Sequence, residues 1–174
     1  MAAGVPVIEL FAEGDIGTNI VSRREDSDLA PDLYRRHEVA GASHVDQWEA
    51  RSFANAADTL LATGQQQEPP LVCVPADVQE TDFPARLAIN AAWRHLDEWV
   101  QRGKAAPRSQ PLQLRLPLAT VFDPQTAFVV DEAGNAVGGV RSPQVDVPLA
   151  RYVGAKTGAF SCMFDGYMYP FDSE

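Results

Sequence analysis

The apolar and polar positions near the start of the chain predict two strands. The apolar run Val5–Phe11 is typical of a buried strand. A second strand-like run covers Leu33–Val39, but residues 35–38 within it are all charged or polar. This polarity favours an edge strand over a central one. It also predicts that His37 is a surface residue.

The segment between these two strands is polar and has the length of a crossover. Residues 16–32 contain the charged run Arg23–Asp28, which indicates a solvated connection rather than a site. A parallel crossover needs about a dozen residues, so the segment is long enough for one. We therefore expect the two strands to be parallel strands of an open α/β sheet.

The clearest helical pattern follows further along the chain. Thr81 or Asp82 is the expected cap, Pro84 lies in the first turn, and Gly103 stands just past the end. The apolar residues recur at i, i+3, i+4 and i+7, so one face of the helix is expected to be buried. These residues are Ile89, Ala92, Trp93, Leu96, Trp99 and Val100. His95, in the same helix, is expected to pack or to face solvent rather than to bind a ligand.

The remaining chain carries weaker patterns. Glu49–Ala62 has a moderately helical spacing of apolar residues. Thr126–Val130 and Ala136–Val140 flank a turn-forming segment, Asp131–Asn135, and predict a β-hairpin. The acidic residues at this turn lack the ligand spacing of an EF-hand loop, so a turn is favoured over a calcium site.

Length, composition and charge narrow the class of protein. The 174 residues suffice for a single domain, residues 1–174, with a sizeable core. The formal net charge of −10 predicts repulsion from nucleic acids and from anionic membranes. No apolar run approaches the roughly 20 residues of a membrane span, and no signal peptide is evident, so the sequence leaves the cellular location open.

The cysteines and histidines predict neither a metal site nor a cofactor. Cys73 and Cys162 lie far apart and have no metal-ligand spacing. Buried free thiols are favoured, and a disulfide in an exported protein is the alternative. A metal site built from His37, Glu38 and His44 does not have the spacing of known zinc motifs.

Candidate catalytic residues follow each of the two strands. The small residues of Ala40–Ala42 precede His44 and leave open space around its imidazole. Asp15 follows the first strand, with Glu13 as the alternative acid. Because the carboxyl ends of parallel strands carry the chemistry in open α/β sheets, His44 is the candidate base and Asp15 the candidate acid. That both acids only solvate a turn remains the alternative.

Two further stretches give the sequence a family resemblance. Val39–His44 reads Val-Ala-Gly-Ala-Ser-His, and Gly138–Pro143 reads Gly-Gly-Val-Arg-Ser-Pro. With the strand that ends in Glu13-Gly14-Asp15 and the helix around Trp93–Val100, they resemble the C-terminal part of the alpha/beta hydrolase domain family of mostly bacterial proteins. The resemblance implies an α/β-hydrolase fold, a Ser-Asp/Glu-His triad and action on an ester-type bond.

The resemblance also defines the expected fold class and extent. We expect the C-terminal portion of an α/β-hydrolase fold, with parallel strands and a packed amphipathic helix, followed by a β-hairpin-rich segment. Members of the family are considerably longer, and the part that this chain would lack is N-terminal.

No candidate nucleophile accompanies the predicted acid and base. In this fold the triad follows the order nucleophile, acid, histidine, with the serine in a G-x-S-x-G turn. No serine or cysteine precedes Asp15, and neither Ser43 nor Ser161 has the flanking glycines. The expectation is therefore a hydrolase segment that is inactive alone. Completed by an N-terminal part, it would act on a small ester-type substrate.

A second hypothesis comes from a different class of protein. The chain would be a non-catalytic binding or structural relative of the hydrolases, with His44 a loop residue and Asp15 a turn residue. Exposed strands would also allow self-association, because an isolated two-stranded unit is marginally stable in water.

Overall fold

Two short sheets and one long helix form most of the regular structure in the computed structural model. The structure describes residues 4–49, 56–65, 78–115, 127–155 and 164–171. Cys73, Cys162 and Ser161 lie outside the described residues, as does part of the predicted helix Glu49–Ala62. The helices that lie wholly within the described residues are α1 (Ile16–Asn19), α2 (Ala56–Thr63), α3 (Ala85–Arg102) and α4 (Pro143–Asp146).

The first sheet contains the two predicted strands and a third, short strand. β1 (Val7–Ala12) lies parallel to β3 (Asp32–Val39), and β2 (Ser27–Leu29) lies antiparallel on the other side of β3. The parallel pairing expected from the sequence is confirmed. In its register Ala12 is opposite Val39, so the loops that follow β1 and β3 leave the sheet side by side.

The prediction that β3 is an edge strand is wrong. β3 is the central strand of its sheet, and residues 34–40 are all buried. Its polar side chains are buried because they pair with one another and with groups from other segments. Glu38 accepts hydrogen bonds from Arg23, from Arg36 and from the Leu112 N–H. A charged strand can therefore occupy the sheet centre when its charges are paired.

His37 is likewise not a surface residue. It is 6% exposed, and its Nδ1 lies 3.0 Å from the hydroxyl oxygen of Ser109. Burial lowers the pKa of His37, because the charged imidazolium is poorly solvated there. The strand places this side chain inside the fold, where a packed neutral ring is favoured.

The connection at residues 16–32 is more than a solvated linker. It contains α1 and β2, and Ile16 at its start is fully buried in the core. Arg23 reaches from this segment to the buried carboxylate of Glu38, with Nη2 to Oε2 at 2.6 Å. The sequence predicts that this charged run faces solvent. In the structure, however, Arg23 from this run pairs with the buried negative charge of Glu38 on β3.

α3 is confirmed, although its cap differs from the prediction. The helix begins at Ala85 with Pro84 as the N-cap. Thr81 instead accepts a hydrogen bond from the Phe83 N–H, which shapes the turn before the helix. Gly103 has φ 66° and donates its N–H to the Trp99 carbonyl, as expected for a glycine that ends a helix.

The apolar face of α3 is only partly buried. Trp99 is buried and lies under the guanidinium of Arg35, but Trp93 is 67% exposed. The helix packs on β1 and leaves an apolar groove beside that strand. The groove is lined by Ile8, Leu10, Ile89, Ala92, Trp93 and Leu96.

A second sheet lies in the later part of the chain. It is antiparallel, in the order β4 (Gln79–Glu80), β6 (Tyr167–Pro170), β5 (Ala150–Val153). Before it, Asp131 and Asn135 close a turn through a backbone hydrogen bond of 2.9 Å, at the position of the predicted hairpin. The flanking residues form isolated antiparallel bridges there rather than regular strands.

One buried hydrophobic core contains residues from both sheets. It includes Ile16, Val39, Phe83, Leu112, Phe128, Val145 and Tyr152. No helix within the described ranges is both long enough and apolar enough to cross a membrane.

Candidate active site

Asp15 occupies a fixed position directly after β1. It closes a 3₁₀ turn, Glu13–Asp15, and its Oδ2 accepts a 2.9 Å hydrogen bond from the Ala12 N–H. The side chains of Thr18 and Asn19 donate hydrogen bonds to its carbonyl oxygen. The carboxylate is therefore held by its own turn, with Oδ1 left for another partner.

That partner is His44. The Nδ1 atom of His44 lies 2.6 Å from Asp15 Oδ1, across the loops that follow β3 and β1. Since an ionised carboxylate can only accept, Nδ1 carries the proton, and a neutral imidazole then has its lone pair on Nε2. The His44 side chain is 51% exposed, whereas that of Asp15 is 17% exposed. The Nε2 atom of His44 can therefore take up a proton from a group that approaches from solvent.

The loop that carries His44 requires small residues. Gly41 has φ 77°, in the left-handed region that side chains disfavour. A Cβ at this position would also press against Tyr152, Val145 and Phe83 at 3.1–3.3 Å. The sequence pattern Ala-Gly-Ala therefore reflects close packing of the loop against the core.

His44 is also held from its C-terminal side. The Val45 N–H donates to the Phe164 carbonyl at 3.0 Å, and the ring of Phe164 lies 5.0 Å from the imidazole, centroid to centroid. Next along the chain, Asp46 and Glu49 exchange hydrogen bonds with each other's backbone N–H, as in a capping box. These contacts fix the imidazole beside an aromatic ring.

Glu13, the alternative acid, lies elsewhere in the same region. It is 4% exposed, and its carboxyl accepts hydrogen bonds from Gly41 N–H at 2.7 Å and Gly154 N–H at 3.2 Å. Burial raises the pKa of Glu13 to about 7, and the two backbone donors and the charge of Arg151 oppose this rise. Asp15, and not Glu13, is the acid that contacts His44.

A comparison with known protein families decides the class of the chain. The family model described as Alpha/beta hydrolase domain matches residues 2–174. The chain belongs to the alpha/beta hydrolase domain family. The resemblance seen in the sequence is thereby confirmed, and the mixed α/β architecture with small sheets agrees with it. No curated protein and no solved structure matches the chain.

Membership of the alpha/beta hydrolase domain family indicates a hydrolase-type function and directs attention to a nucleophile. Ser43 is closest to His44 in the chain, but it is buried and donates its hydroxyl to the Val45 carbonyl at 2.6 Å. Within the described ranges no serine or threonine hydroxyl hydrogen-bonds to the imidazole of His44. Ser161 lies outside those ranges.

The other histidine and acid weighed for a metal site are engaged separately. His37 contacts Ser109, and Glu38 is bound by two arginines. Among the residues that the structure describes, no group of three or more histidine, cysteine or acidic side chains is arranged to hold a metal ion.

Sequence reasoning missed the partners that organise the region. Gly154 and Asn135 are buried and bind Glu13 and β5 respectively. Gly154 lies in no recognised motif, and Asn135 ends the turn-forming segment Asp131–Asn135, which predicted a hairpin but not a contact with β5. The sequence holds no signal for the contact between Glu13 and Gly154, because the two residues lie 141 positions apart.

Proposed function

We propose that this protein takes part in serine-type hydrolysis of an ester or a related acyl bond, with Asp15 as the acid and His44 as the base. The observation that carries the proposal is the 2.6 Å contact between His44 Nδ1 and Asp15 Oδ1. The contact lies at the carboxyl ends of two parallel strands, where open α/β sheets place their chemistry. Family membership supports the hydrolase class.

Each residue has a distinct task in this mechanism. His44 Nε2 takes the proton of the attacking hydroxyl and later returns it to the leaving alcohol. Asp15 keeps the proton on Nδ1 and stabilises the imidazolium that forms during attack. The Ala12 N–H, bound to the second carboxylate oxygen, keeps Asp15 aligned for this task.

In this proposal the nucleophile comes from an N-terminal segment that is not contained in this sequence. The chain would be the C-terminal portion of an α/β-hydrolase domain, and the strand that bears the serine would join the sheet beyond β1. Two features support this arrangement. Within the described residues β1 pairs with β3 alone, and an apolar groove lies along β1 beside α3. The substrate would be a small ester-type molecule.

Expression of the chain in two forms tests the proposal. We would purify the 174-residue chain and also the longest natural reading frame that contains it, and measure turnover of p-nitrophenyl esters. The longer protein is expected to hydrolyse the ester and the short chain is not. In the longer protein His44→Ala should lower kcat by about a thousandfold or more, since loss of the base removes the triad's contribution.

The matched control is His95→Ala on α3, which removes a histidine from a helix that the mechanism does not use. It should leave kcat unchanged. An ester activity that His44→Ala does not reduce would overturn the proposal. The absence of turnover in every form would favour the non-catalytic relative.

A further inference from the structure

Glu13 is a buried carboxyl that the proposed mechanism does not use. Both of its oxygens accept backbone hydrogen bonds, Oε2 from the Gly41 N–H and Oε1 from the Gly154 N–H. Gly41 belongs to the loop after β3, and Gly154 directly follows β5. One side chain at the end of β1 therefore ties together segments from both sheets.

The backbones of the turn after β1, the loop after β3 and Gly154 lie too close together to accommodate a side chain at Gly154. The Gly14 N–H donates to the Ala42 carbonyl at 3.3 Å. A Cβ at Gly154 would collide with that same carbonyl oxygen and with the Cβ of Glu13. The backbones are therefore in direct contact, and the Glu13 carboxyl fills the space between the amides.

The contacts of Glu13 lie close in sequence to both Asp15 and His44. Asp15 is two residues after Glu13, and His44 is three residues after Gly41. A shift of the Gly41 loop relative to the end of β1 would change the 2.6 Å distance between Nδ1 and Oδ1 directly. Small displacements of this kind are costly to catalysis.

We propose that Glu13 is a positioning residue, which sets the spacing between Asp15 and His44 by binding the amides of Gly41 and Gly154. The catalytic part of this inference rests on the proposed function, whereas its effect on the His44 hydrogen bond does not. Glu13 accepts its hydrogen bonds from Gly41 and Gly154 and not from the imidazole, so it acts through the loop backbone.

The charge state of Glu13 provides a way to observe this coupling. Its raised pKa of about 7 means that the carboxyl changes from neutral to ionised near neutral pH. The charged group that acts on Glu13 is Arg151 on β5. Asp15 lies two residues further along the same turn, and its free oxygen contacts His44 rather than Glu13. An ionised carboxylate accepts N–H hydrogen bonds more strongly than a neutral carboxyl, so both amides should respond to its titration.

Glu13→Gln tests the inference by NMR on the 174-residue chain, which requires no turnover. Glutamine keeps the size, but its NH₂ end cannot accept from a backbone N–H, so one of the two bonds is lost. In the wild type the Gly41 and Gly154 amide signals should titrate together with a midpoint near 7. In the variant this titration should vanish, and exchange of at least one amide should quicken about tenfold.

The decisive readout is the proton on His44 Nδ1, whose 2.6 Å hydrogen bond to Asp15 is expected to give a downfield signal. In Glu13→Gln this signal should broaden or shift upfield. Glu132→Gln, at the exposed turn before Gly134, is the matched control. It should change neither the His44 Nδ1 signal nor the amide signals of Gly41 and Gly154. A folded Glu13→Gln protein with an unaltered Nδ1 signal would overturn the inference and leave Glu13 with a structural role only.

A second variant decides the matter if Glu13→Gln does not fold. Arg151→Gln removes the positive charge that lowers the pKa of Glu13, so the amide midpoint should move to higher pH. The His44 Nδ1 signal should then change over the same shifted interval. A signal that keeps its wild-type pH dependence contradicts positioning by Glu13.

Activity separates this inference from the proposed function. In a longer protein that hydrolyses esters, Glu13→Gln should lower kcat about ten- to a hundredfold with KM nearly unchanged, because alignment and not substrate binding is lost. If that protein shows no ester turnover, the proposed function fails, while the NMR result still decides whether Glu13 positions His44.

Discussion

At the scale of single residues, the contact between His44 and Asp15 assigns different roles to two acids that stand two positions apart. Asp15 projects from the 3₁₀ turn toward the imidazole, with one oxygen on the Ala12 N–H and one on His44. Glu13 points into the fold, toward Gly41 and Gly154. The same short turn therefore presents one carboxylate to the site and buries the other.

These different positions predict unequal effects on activity. In a catalytically competent longer form, Asp15→Asn should lower kcat by about 10³- to 10⁴-fold, because an amide no longer enforces the proton on Nδ1. Glu13→Gln should cost far less. Asp32→Asn, which alters an exposed acid on β3, is the control. Steady-state kinetics check this prediction, and a larger loss in Glu13→Gln than in Asp15→Asn would assign the acid to Glu13.

Glu13 also predicts a pH dependence of stability. Its pKa is raised in the folded chain from 4.5 to about 7, so the folded state retains a proton that the unfolded state has lost. The stabilisation is full below pH 4.5 and is lost as the pH rises through 7. The expected loss is on the order of 3 kcal/mol. Urea unfolding at pH 5 and pH 8 measures it, and Glu13→Gln should remove this component.

At the scale of elements, β3 owes its central place to ion pairs formed with other segments. Glu38 on β3 accepts from Arg36 two positions away, but also from Arg23 before β2 and from the Leu112 N–H after α3. Arg36 in turn lies over the ring of Phe11 on β1, at 4.0 Å. The strand thus packs as an apolar strand would, because its charges are neutralised by neighbours and covered by an aromatic ring.

Removal of the central charge should therefore destabilise the fold. Glu38→Gln leaves Arg23 and the buried Arg36 without their carboxylate, and we expect a loss of about 3–5 kcal/mol in the free energy of unfolding. Asp32→Asn breaks an ion pair on the same strand whose two members are about half exposed, and should cost less than about 1 kcal/mol. Chemical denaturation compares the two variants, and equal losses would contradict the role of burial.

At the scale of the whole molecule, the edge of β1 and the neighbouring face of α3 form an apolar surface. Trp93 is largely exposed beside Ile8 and Leu10, and β1 has no second neighbour among the described residues. An open strand edge next to apolar side chains favours association with another chain or segment. The 174-residue chain is therefore expected to self-associate as its concentration rises.

Sedimentation velocity over a range of concentrations measures this tendency. Trp93→Glu should shift the chain toward the monomer, because it places a charge in the apolar groove. Val21→Glu changes a residue that is more exposed but lies elsewhere, and should have little effect. Association that is unaltered by Trp93→Glu would show that another surface is responsible.

The elements that were predicted well are those specified by local sequence. The 3.6-residue apolar period and the glycine that follows it determine α3 and its end at Gly103. The apolar run near the start correctly predicts that β1 is a strand, but the expectation that it is buried is wrong, because Val7 is exposed and the rest of β1 is only partly buried. The match over residues 2–174 confirms the family resemblance that rests on the motifs at Val39–His44 and Gly138–Pro143. Each of these signals lies within a few consecutive residues, so no knowledge of distant contacts is needed.

The tertiary structure alone decided three matters. It placed the polar strand β3 in the centre of its sheet, because Arg23 and Leu112 meet Glu38 from remote positions. It buried His37 against Ser109. It also brought Asp15 rather than Glu13 to His44. The sequence determined that an acid and a histidine follow parallel strands, but only the packing of β5 and Gly154 shows which acid is drawn into the interior.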